Sequence, residues 1–137
     1  MKRIFIDTNI LLDLVMARRK FYQDANRLFQ YCEQRGIKTY ISSISIATIN
    51  YLLLKSYKEE EVKKNLETIY NLTEILPFYK DIIFKAHQSN FKDLEDEFQC
   101  FTAKENNLKI IITRNQKDFK VDDISILTPK EFVDYRF

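Results

Sequence analysis

The chain has 137 residues, of which 45% are hydrophobic and 14% aromatic, so its composition excludes disorder and predicts a single folded domain, 1–137. One glycine and two prolines leave few residues for tight β-turns, which argues against a β-sandwich or β-barrel. A net charge of +2 is too small to indicate nucleic-acid binding by itself, although the first 55 residues are basic and residues 56–108 are acidic.

The predicted elements alternate between short apolar strands and longer amphipathic helices. Strands are predicted at 3–6, 38–42, 74–76, 109–112 and 125–127. Helices are predicted at 8–17, 21–35, 43–55, 59–73, 79–89 and 93–106, and Pro129 suits the first turn of a closing helix. This alternation predicts an α/β fold with a parallel sheet of four to five short strands covered by helices on both sides.

Some local features of the helices can also be predicted. Thr8 or Asn9 is expected to cap the first helix through its side-chain oxygen. Gly36 suits the left-handed residue that ends the second helix. The helix at 93–106 is expected to bury a stripe of large apolar side chains: Leu94, Phe98, Phe101 and Leu108.

The cysteine pattern and the hydropathy predict the cellular environment. Cys32 and Cys100 lack CxxC spacing and fall at apolar helix positions, so both are expected to be reduced core residues. Asp7 and Asp13 interrupt the first apolar stretch, which argues against a secretory signal. No apolar run approaches the ~18 residues that a membrane span needs. We therefore expect a cytoplasmic protein that does not insert into membranes.

Acidic and small polar residues follow the predicted strands. Asp7 comes directly after the first strand, residues 113–118 form a polar turn after the fourth, and a third acidic group lies at 93–96. Open α/β sheets place their ligands at the carboxyl ends of the strands. Carboxylates held close together repel one another unless a cation neutralises them, and Mg²⁺ and Mn²⁺ prefer such oxygen ligands. The pattern predicts metal-assisted hydrolysis of phosphodiesters.

Four segments, in the expected order and spread over nearly the whole chain, together resemble the PIN-domain nucleases, including their VapC-type toxins. They are FIDTNILLD at 5–13, DLEDEFQ at 93–99, IITRNQKDF at 111–119 and LTPKEF at 127–132. The resemblance implies an α/β/α sandwich and a Mg²⁺- or Mn²⁺-dependent ribonuclease. It also implies the toxin of a bacterial toxin–antitoxin pair, with RNA as substrate, a small antitoxin as inhibitor and a homodimeric assembly.

The resemblance also implies roles for individual acidic residues. Asp7 and Asp96 would be direct metal ligands, and Asp118 or Asn115 would supply the last polar group. Asp7, Asp96 and Asp118 would be the catalytic residues. Asp93 would be a further ligand or would support one, although an acid at this place also suits a helix N-cap.

Other polar residues near these motifs are candidates for substrate binding: Thr8, Asn9, Ser43 and Arg114. Each also has a structural alternative. Thr8, Asn9 and Ser43 lie where helices begin, and their side chains suit that position. Arg114 could meet an RNA phosphate or pair with an acid, and the sequence leaves both open.

Two positions depart from the family pattern. Asn115 stands where many members have an aspartate, although Asp118 lies close by. Members usually carry a glutamate early in the helix after the second strand, and here the alignment places Thr48 there. Because metal affinity falls as ligand charge falls, weak or lost catalysis is an expected consequence. The alternative function is a catalytically weakened PIN-like domain that binds RNA or a protein partner.

Overall fold

The computed structural model of the chain describes residues 2–89, 93–119 and 121–136. These residues form five short strands: β1 (Arg3–Ile6), β2 (Lys38–Ser42), β3 (Glu74–Leu76), β4 (Ile110–Ile112) and β5 (Ser125–Leu127). The strands pair in the order β3-β2-β1-β4-β5, and every neighbouring pair is parallel. The predicted α/β/α sandwich with a central parallel sheet is confirmed.

Seven helices of the described residues surround the sheet: α1 (Thr8–Val15), α2 (Tyr22–Arg35), α3 (Ser43–Leu54), α4 (Glu59–Leu72), α5 (Lys80–His87), α6 (Leu94–Glu105) and α7 (Pro129–Asp134). They agree with the predicted helices within two residues at each end. The polar turn after β4 contains a short 3-10 helix, Gln116–Asp118, which the sequence pattern did not predict. None of the helices in the described ranges is both long and apolar enough to cross a membrane.

The central strand β1 separates two hydrophobic cores because its side chains alternate between the faces of the sheet. Ile4 and Ile6 are fully buried in the larger core, which includes residues of α1, α2, α3 and α4. Phe5 points to the other face and packs in a smaller core with Cys100 and Ile111. The carboxyl end of β1 is therefore fixed from both sides, and the residue that follows it is held firmly in place.

The start of α1 differs from the prediction. Asp7, and not Thr8 or Asn9, occupies the N-cap position, where the backbone is still extended at φ −66° and ψ 146°. The side chain of Asp7 makes no capping hydrogen bond to this helix. The hydroxyl of Thr8 bonds instead to side chains of α3 and α6, which explains why it does not act as a cap.

The predicted buried stripe of α6 is also partly wrong. Leu94 is 56% exposed, and Phe98 and Phe101 are only partly buried. The buried face instead carries small and polar residues: Glu97, Gln99, Cys100, Thr102 and Ala103. Cys100 and Ala103 fit closely against the smaller core, whereas Gln99 reaches Thr8 beside the sheet edge. This mixed face follows from the position of α6 beside the polar ends of β1 and β4.

The two cysteines match the prediction. Cys32 lies in the larger core and Cys100 in the smaller one, and both are free thiols within the described residues. Burial raises the pKa of Cys32 to about 12 and the pKa of Cys100 to about 11. Both thiols therefore stay protonated and serve as packing residues.

Gly36 ends α2 in the left-handed conformation, at φ 65°. No described atom would lie within 4 Å of an added Cβ, so a substitution would strain only the backbone. We expect Gly36→Ala to lower the free energy of unfolding by about 1 kcal/mol, measured by urea denaturation. Gln34→Ala, at an exposed helical position of α2, is the matched control. An equal stability of Gly36→Ala and the parent protein would contradict the assigned backbone strain.

Candidate active site

Asp7 lies at the carboxyl end of β1, where β1 pairs with β4. Ile6 is in register with Ile112, so Asp7 and Thr113 are the first residues beyond the two strands. The amide of Asp7 donates to the carbonyl oxygen of Ile112 at 2.9 Å. The chain runs from β1 towards β2 and β3 on one side and returns to β4 and β5 on the other. Such a switch point is where open α/β sheets bind ligands.

The carboxylate of Asp7 is almost completely buried, at 2% exposure. The Thr113 hydroxyl donates to its Oδ2 atom at 2.8 Å. Burial raises the pKa of Asp7, while polar contacts from Thr113 and Gln99 work in the opposite direction. The backbone of Thr8 and the positive charge of Arg114 also favour the ionised form. Asp7 is thus a desolvated carboxylate surrounded by donors, an arrangement typical of functional sites.

Thr8 connects three helices directly after Asp7. Its Oγ1 atom lies 2.8 Å from the Ser45 hydroxyl on α3 and donates to Oε1 of Glu95 on α6 at 3.2 Å. Its amide donates to Oε1 of Gln99 at 3.2 Å. Because Thr8 gives its one hydroxyl proton to Glu95, Ser45 is the donor in the remaining contact. The segment that carries Asp7 is therefore fixed against α3 and α6.

A group of carboxylates faces Asp7 from α6 and from the turn after β4. Burial is the first cause that raises the pKa of Asp96 to about 7, and the negative charges of Asp7, Asp93, Asp118 and Glu95 add to it. Burial likewise raises the pKa of Glu95, with Asp7 and Asp93 contributing. The predicted acids are thus close enough to repel one another.

The carboxylates form a negative pocket and not a closed cage. Within residues 2–89, 93–119 and 121–136, no three aspartate, glutamate, histidine or cysteine side chains converge as a metal site requires. The donors are nevertheless the oxygen ligands that hard divalent cations select. Their mutual repulsion is the physical condition that a bound cation would relieve. The donor set fits such an ion by its chemistry, and the individual ligand roles stay predictions.

Three of the predicted ligands have backbone roles as well. Asp93 is the N-cap of α6, and its Oδ1 atom accepts from the amide of Glu95 at 2.8 Å. Asn115 precedes the 3-10 helix, and its amide donates to the Thr113 hydroxyl oxygen at 3.1 Å. Asp118 is exposed at the end of that short helix. The capping alternative for Asp93 is confirmed, and a metal role for these three residues stays a prediction.

The residues predicted to bind substrate lie near the same edge of the sheet, and Thr8, Asn9 and Arg114 have protein partners. Oδ1 of Asn9 accepts from Arg18 at 3.4 Å. Ser43 is the first residue of α3 and is partly buried. Arg114 pairs with Asp13, which is the second of the alternatives left open by the sequence. The predicted RNA contacts of these residues and of Thr8 remain predictions.

Several residues of the site were not predicted, but two of them carried a recognisable signal. Thr113 follows β4 at the position where Asp7 follows β1, so strand register alone would place them side by side. Gln99 lies four residues after Glu95, and residues at this spacing share one face of a helix. The importance of Ser45 and Asp13 has no comparable signal, because their partners come from distant segments.

The fold and the site consist of one parallel sheet between helices, with a buried aspartate directly after the central strand. The chain belongs to the PIN-domain family, whose model matches residues 3–117. It is similar to ribonuclease VapC1 of Aquifex aeolicus (strain VF5), with 32% identity over 136 residues, or 96% of this chain and 93% of the relative.

Solved structures of toxin–antitoxin proteins share the fold. A crystal structure of DNA-bound VapBC from Salmonella typhimurium aligns with a TM-score of 0.72 and 18% identity, covering 94% of this chain and 99% of that one. A chain of a toxin–antitoxin complex from Klebsiella pneumoniae aligns with a TM-score of 0.68 and 26% identity, covering 92% and 97%. The similarity therefore extends over nearly the full length of both chains.

Proposed function

We propose that residues 1–137 form one nuclease domain that hydrolyses RNA phosphodiesters with the help of Mg²⁺ or Mn²⁺. The observation that carries the proposal is the buried Asp7 at the switch point, close enough to Asp96 for the two like charges to interact, with Asp118 acting on Asp96 as well. The ribonuclease name of the relative from Aquifex aeolicus supports RNA as the substrate.

The residues that would hold the ion are Asp7 and Asp96, with Asp118 or Asn115 completing the set and Asp93 close by. When bound, a divalent ion lowers the pKa of a coordinated water and offsets the charge of the phosphate. The Thr113 hydroxyl donates a hydrogen bond to Oδ2 of Asp7 and so offsets part of the burial that raises the pKa of this carboxyl.

The neighbouring contacts give this site its fixed geometry. Thr8 is tied to Ser45 and Glu95, so the backbone directly after Asp7 does not have to reorganise before the reaction. Groups that are held in place before the substrate arrives contribute more to catalysis than groups that must be ordered afterwards. The hydrogen bonds around Thr8 and Thr113 are therefore part of the proposed catalytic apparatus.

The direct test is cleavage of RNA by the purified protein. We expect cleavage with Mg²⁺ or Mn²⁺ that stops when EDTA removes the ion. Asp81→Asn is the matched control for the site variants Asp7→Asn and Asp96→Asn, because Asp81 is an exposed carboxylate in the first turn of α5. The proposal is wrong if neither ion produces cleavage at any concentration tested while the protein remains folded by circular dichroism.

We further propose that the protein is a toxin that acts in the cytoplasm, forms a homodimer and is inhibited by a small antitoxin. The toxin–antitoxin complexes among its structural relatives support the antitoxin partner. We expect the antitoxin to be encoded by a small adjacent reading frame whose product has a DNA-binding pattern. Co-expression of the product of that reading frame should relieve a growth arrest caused by this protein. A growth arrest that persists during co-expression would count against the pairing.

The alternative function, a weakened domain that only binds RNA or protein, is not favoured by the ribonuclease relative. Calorimetric titration with Mn²⁺ separates the two functions. An enzyme should show a divalent-ion site that Asp7→Asn removes. A domain that has lost catalysis should show neither the site nor a difference between this variant and the parent protein.

Thr48 offers a test of the family difference. It lies on α3 three residues after Ser45, so the two share a helix face, and its hydroxyl donates to the Ile44 carbonyl at 3.4 Å. We expect Thr48→Glu to tighten Mn²⁺ binding about tenfold in a calorimetric titration, because it adds a negative charge near the pocket. Thr48→Gln is the control of equal size without the charge. Equal affinities for the two variants would show that position 48 does not contribute to ion binding.

A further inference from the structure

Arg114 is enclosed by protein groups on two sides. Its Nε atom donates to Oδ2 of Asp13 at 2.7 Å, and a terminal nitrogen donates to Oδ1 at 3.1 Å. The guanidinium carbon lies 3.7 Å from the ring centroid of Phe21. Asp13 is 1% exposed and also receives Arg18 at 3.4 Å, so two arginines neutralise one buried carboxylate. A two-point contact of this kind fixes the orientation of a guanidinium as well as its position.

The turn that follows β4 is attached to the rest of the molecule at three successive places. Thr113 bonds to Asp7, directly before α1, and Arg114 bonds to Asp13, within α1. Nε2 of Gln116 donates to Oε1 of Glu131 at 2.7 Å. The first two contacts hold the start of the turn against the segment that carries Asp7. The third holds its 3-10 helix against α7.

We propose that Arg114 is a positioning residue, held by Asp13 so that the turn presents Thr113 to Asp7 and Asp118 to Asp96. The inference rests on the proposed ribonuclease function and gives Arg114 a role in it, based on the pairing of Arg114 with Asp13. It also replaces the substrate contact expected from the sequence. Nε and one terminal nitrogen of Arg114 are bound to Asp13, so a guanidinium that turned fully towards an RNA phosphate would give up this two-point contact and leave Asp13 with Arg18 alone.

A double-mutant cycle tests this inference. We expect Asp13→Asn and Arg114→Gln each to lower kcat ten- to a hundredfold with little change in KM, because both release the same turn. The kcat of the double variant should be no lower than that of the less active single variant. Arg114→Lys should lose less of kcat than Arg114→Gln does. Arg27→Gln is the control, since it breaks an exposed ion pair to Asp134 of α7.

RNA binding distinguishes a positioning residue from a substrate-binding residue. The affinity for a fluorescent RNA oligonucleotide, measured by anisotropy in EDTA, should be the same for the parent protein and the variants at Asp13 and Arg114. A loss of affinity in Arg114→Gln that Asp13→Asn does not share would overturn the inference in favour of a phosphate contact. Independent, multiplying losses of kcat in the cycle would also overturn it.

Hydrogen exchange of the amides at 113–118 gives a reading that does not depend on activity. Exchange should be faster in Asp13→Asn and Arg114→Gln than in the parent protein and in Arg27→Gln. If the parent protein cleaves no RNA, the proposed function fails while faster exchange still supports the contact between Asp13 and the turn. Unchanged exchange in both variants would show that the pair does not hold the turn. Should Asp13→Asn not fold, the Arg114 variants decide by two measurements: faster exchange at unchanged RNA affinity supports the positioning role, and unchanged exchange or lost affinity overturns it.

Discussion

Asp96→Asn is expected to lower kcat for RNA cleavage about a thousandfold at saturating Mn²⁺. The change removes one negative oxygen from the pocket that Asp7 and Asp96 share and leaves the size of the side chain unchanged. Stabilisation of transition-state charge at such sites amounts to several kcal/mol, which corresponds to this factor. Asp7→Asn should have at least as large an effect, because Asp7 is the more deeply buried carboxylate. Initial rates on a defined RNA give the measurement.

The controls for this result are already present in the chain. Asp81→Asn removes an exposed carboxylate from α5 and should keep the parent rate. Circular dichroism and a melting curve establish that the inactive variants are folded. Full activity in both Asp7→Asn and Asp96→Asn would mean that the chemistry takes place elsewhere on the molecule.

Asp96→Asn is also expected to stabilise the protein when no divalent ion is present. Burial and like charges raise the pKa of Asp96 from 3.8 to about 7, so the folded state holds a proton that the unfolded chain releases. The stability therefore falls as pH rises from about 4 to about 7, where the unfolded chain is ionised at this carboxyl and the folded protein is not, and it falls no further above about pH 7. Because Asp96 is only half-buried, solvent screening reduces the effect, and we expect Asp96→Asn to gain about 1–2 kcal/mol at about pH 8.

The dependence on pH identifies the cause. Below about pH 4 the carboxyl of Asp96 is protonated in both states, so the stabilities of parent and variant should converge. The difference should grow as pH rises towards 7 and then stay constant. Urea denaturation in EDTA measures it. Added Mn²⁺ should reverse the order, because the ion stabilises only the protein that binds it. A constant difference at all pH values would contradict the like-charge explanation.

Much of the fold follows from residues whose local preferences agree with their final environment. The apolar run of β1 is buried on both faces, and its residues therefore had to belong to a central parallel strand. Gly36 ends α2 because its backbone conformation suits a residue without a side chain. Leu94 was placed wrongly because a pattern of apolar residues does not show that α6 begins outside the core.

The site was predictable only in part. Asp7 directly after β1 indicates a ligand site through its sequence position, whereas Asp96 lies in an acidic run that is typical of a solvated helix face and was assigned to the site through the family resemblance. The roles of Thr113 and Arg114 depend on segments that are about a hundred residues away in the chain. Their partners are chosen by strand pairing and helix packing, so a local pattern does not distinguish a positioning arginine from one that binds phosphate.

Diffraction from a crystal of the protein soaked with Mn²⁺, at a wavelength where manganese scatters anomalously, shows whether Asp7 and Asp96 bind a divalent ion together. We expect one strong anomalous peak between the carboxylates of Asp7 and Asp96, with metal–oxygen distances of about 2.1 Å. The peak should disappear in Asp7→Asn and remain in Asp81→Asn. Manganese bound only at other acidic residues, with the Asp7 carboxylate still free of metal at saturating Mn²⁺, would contradict a metal site at Asp7 and Asp96.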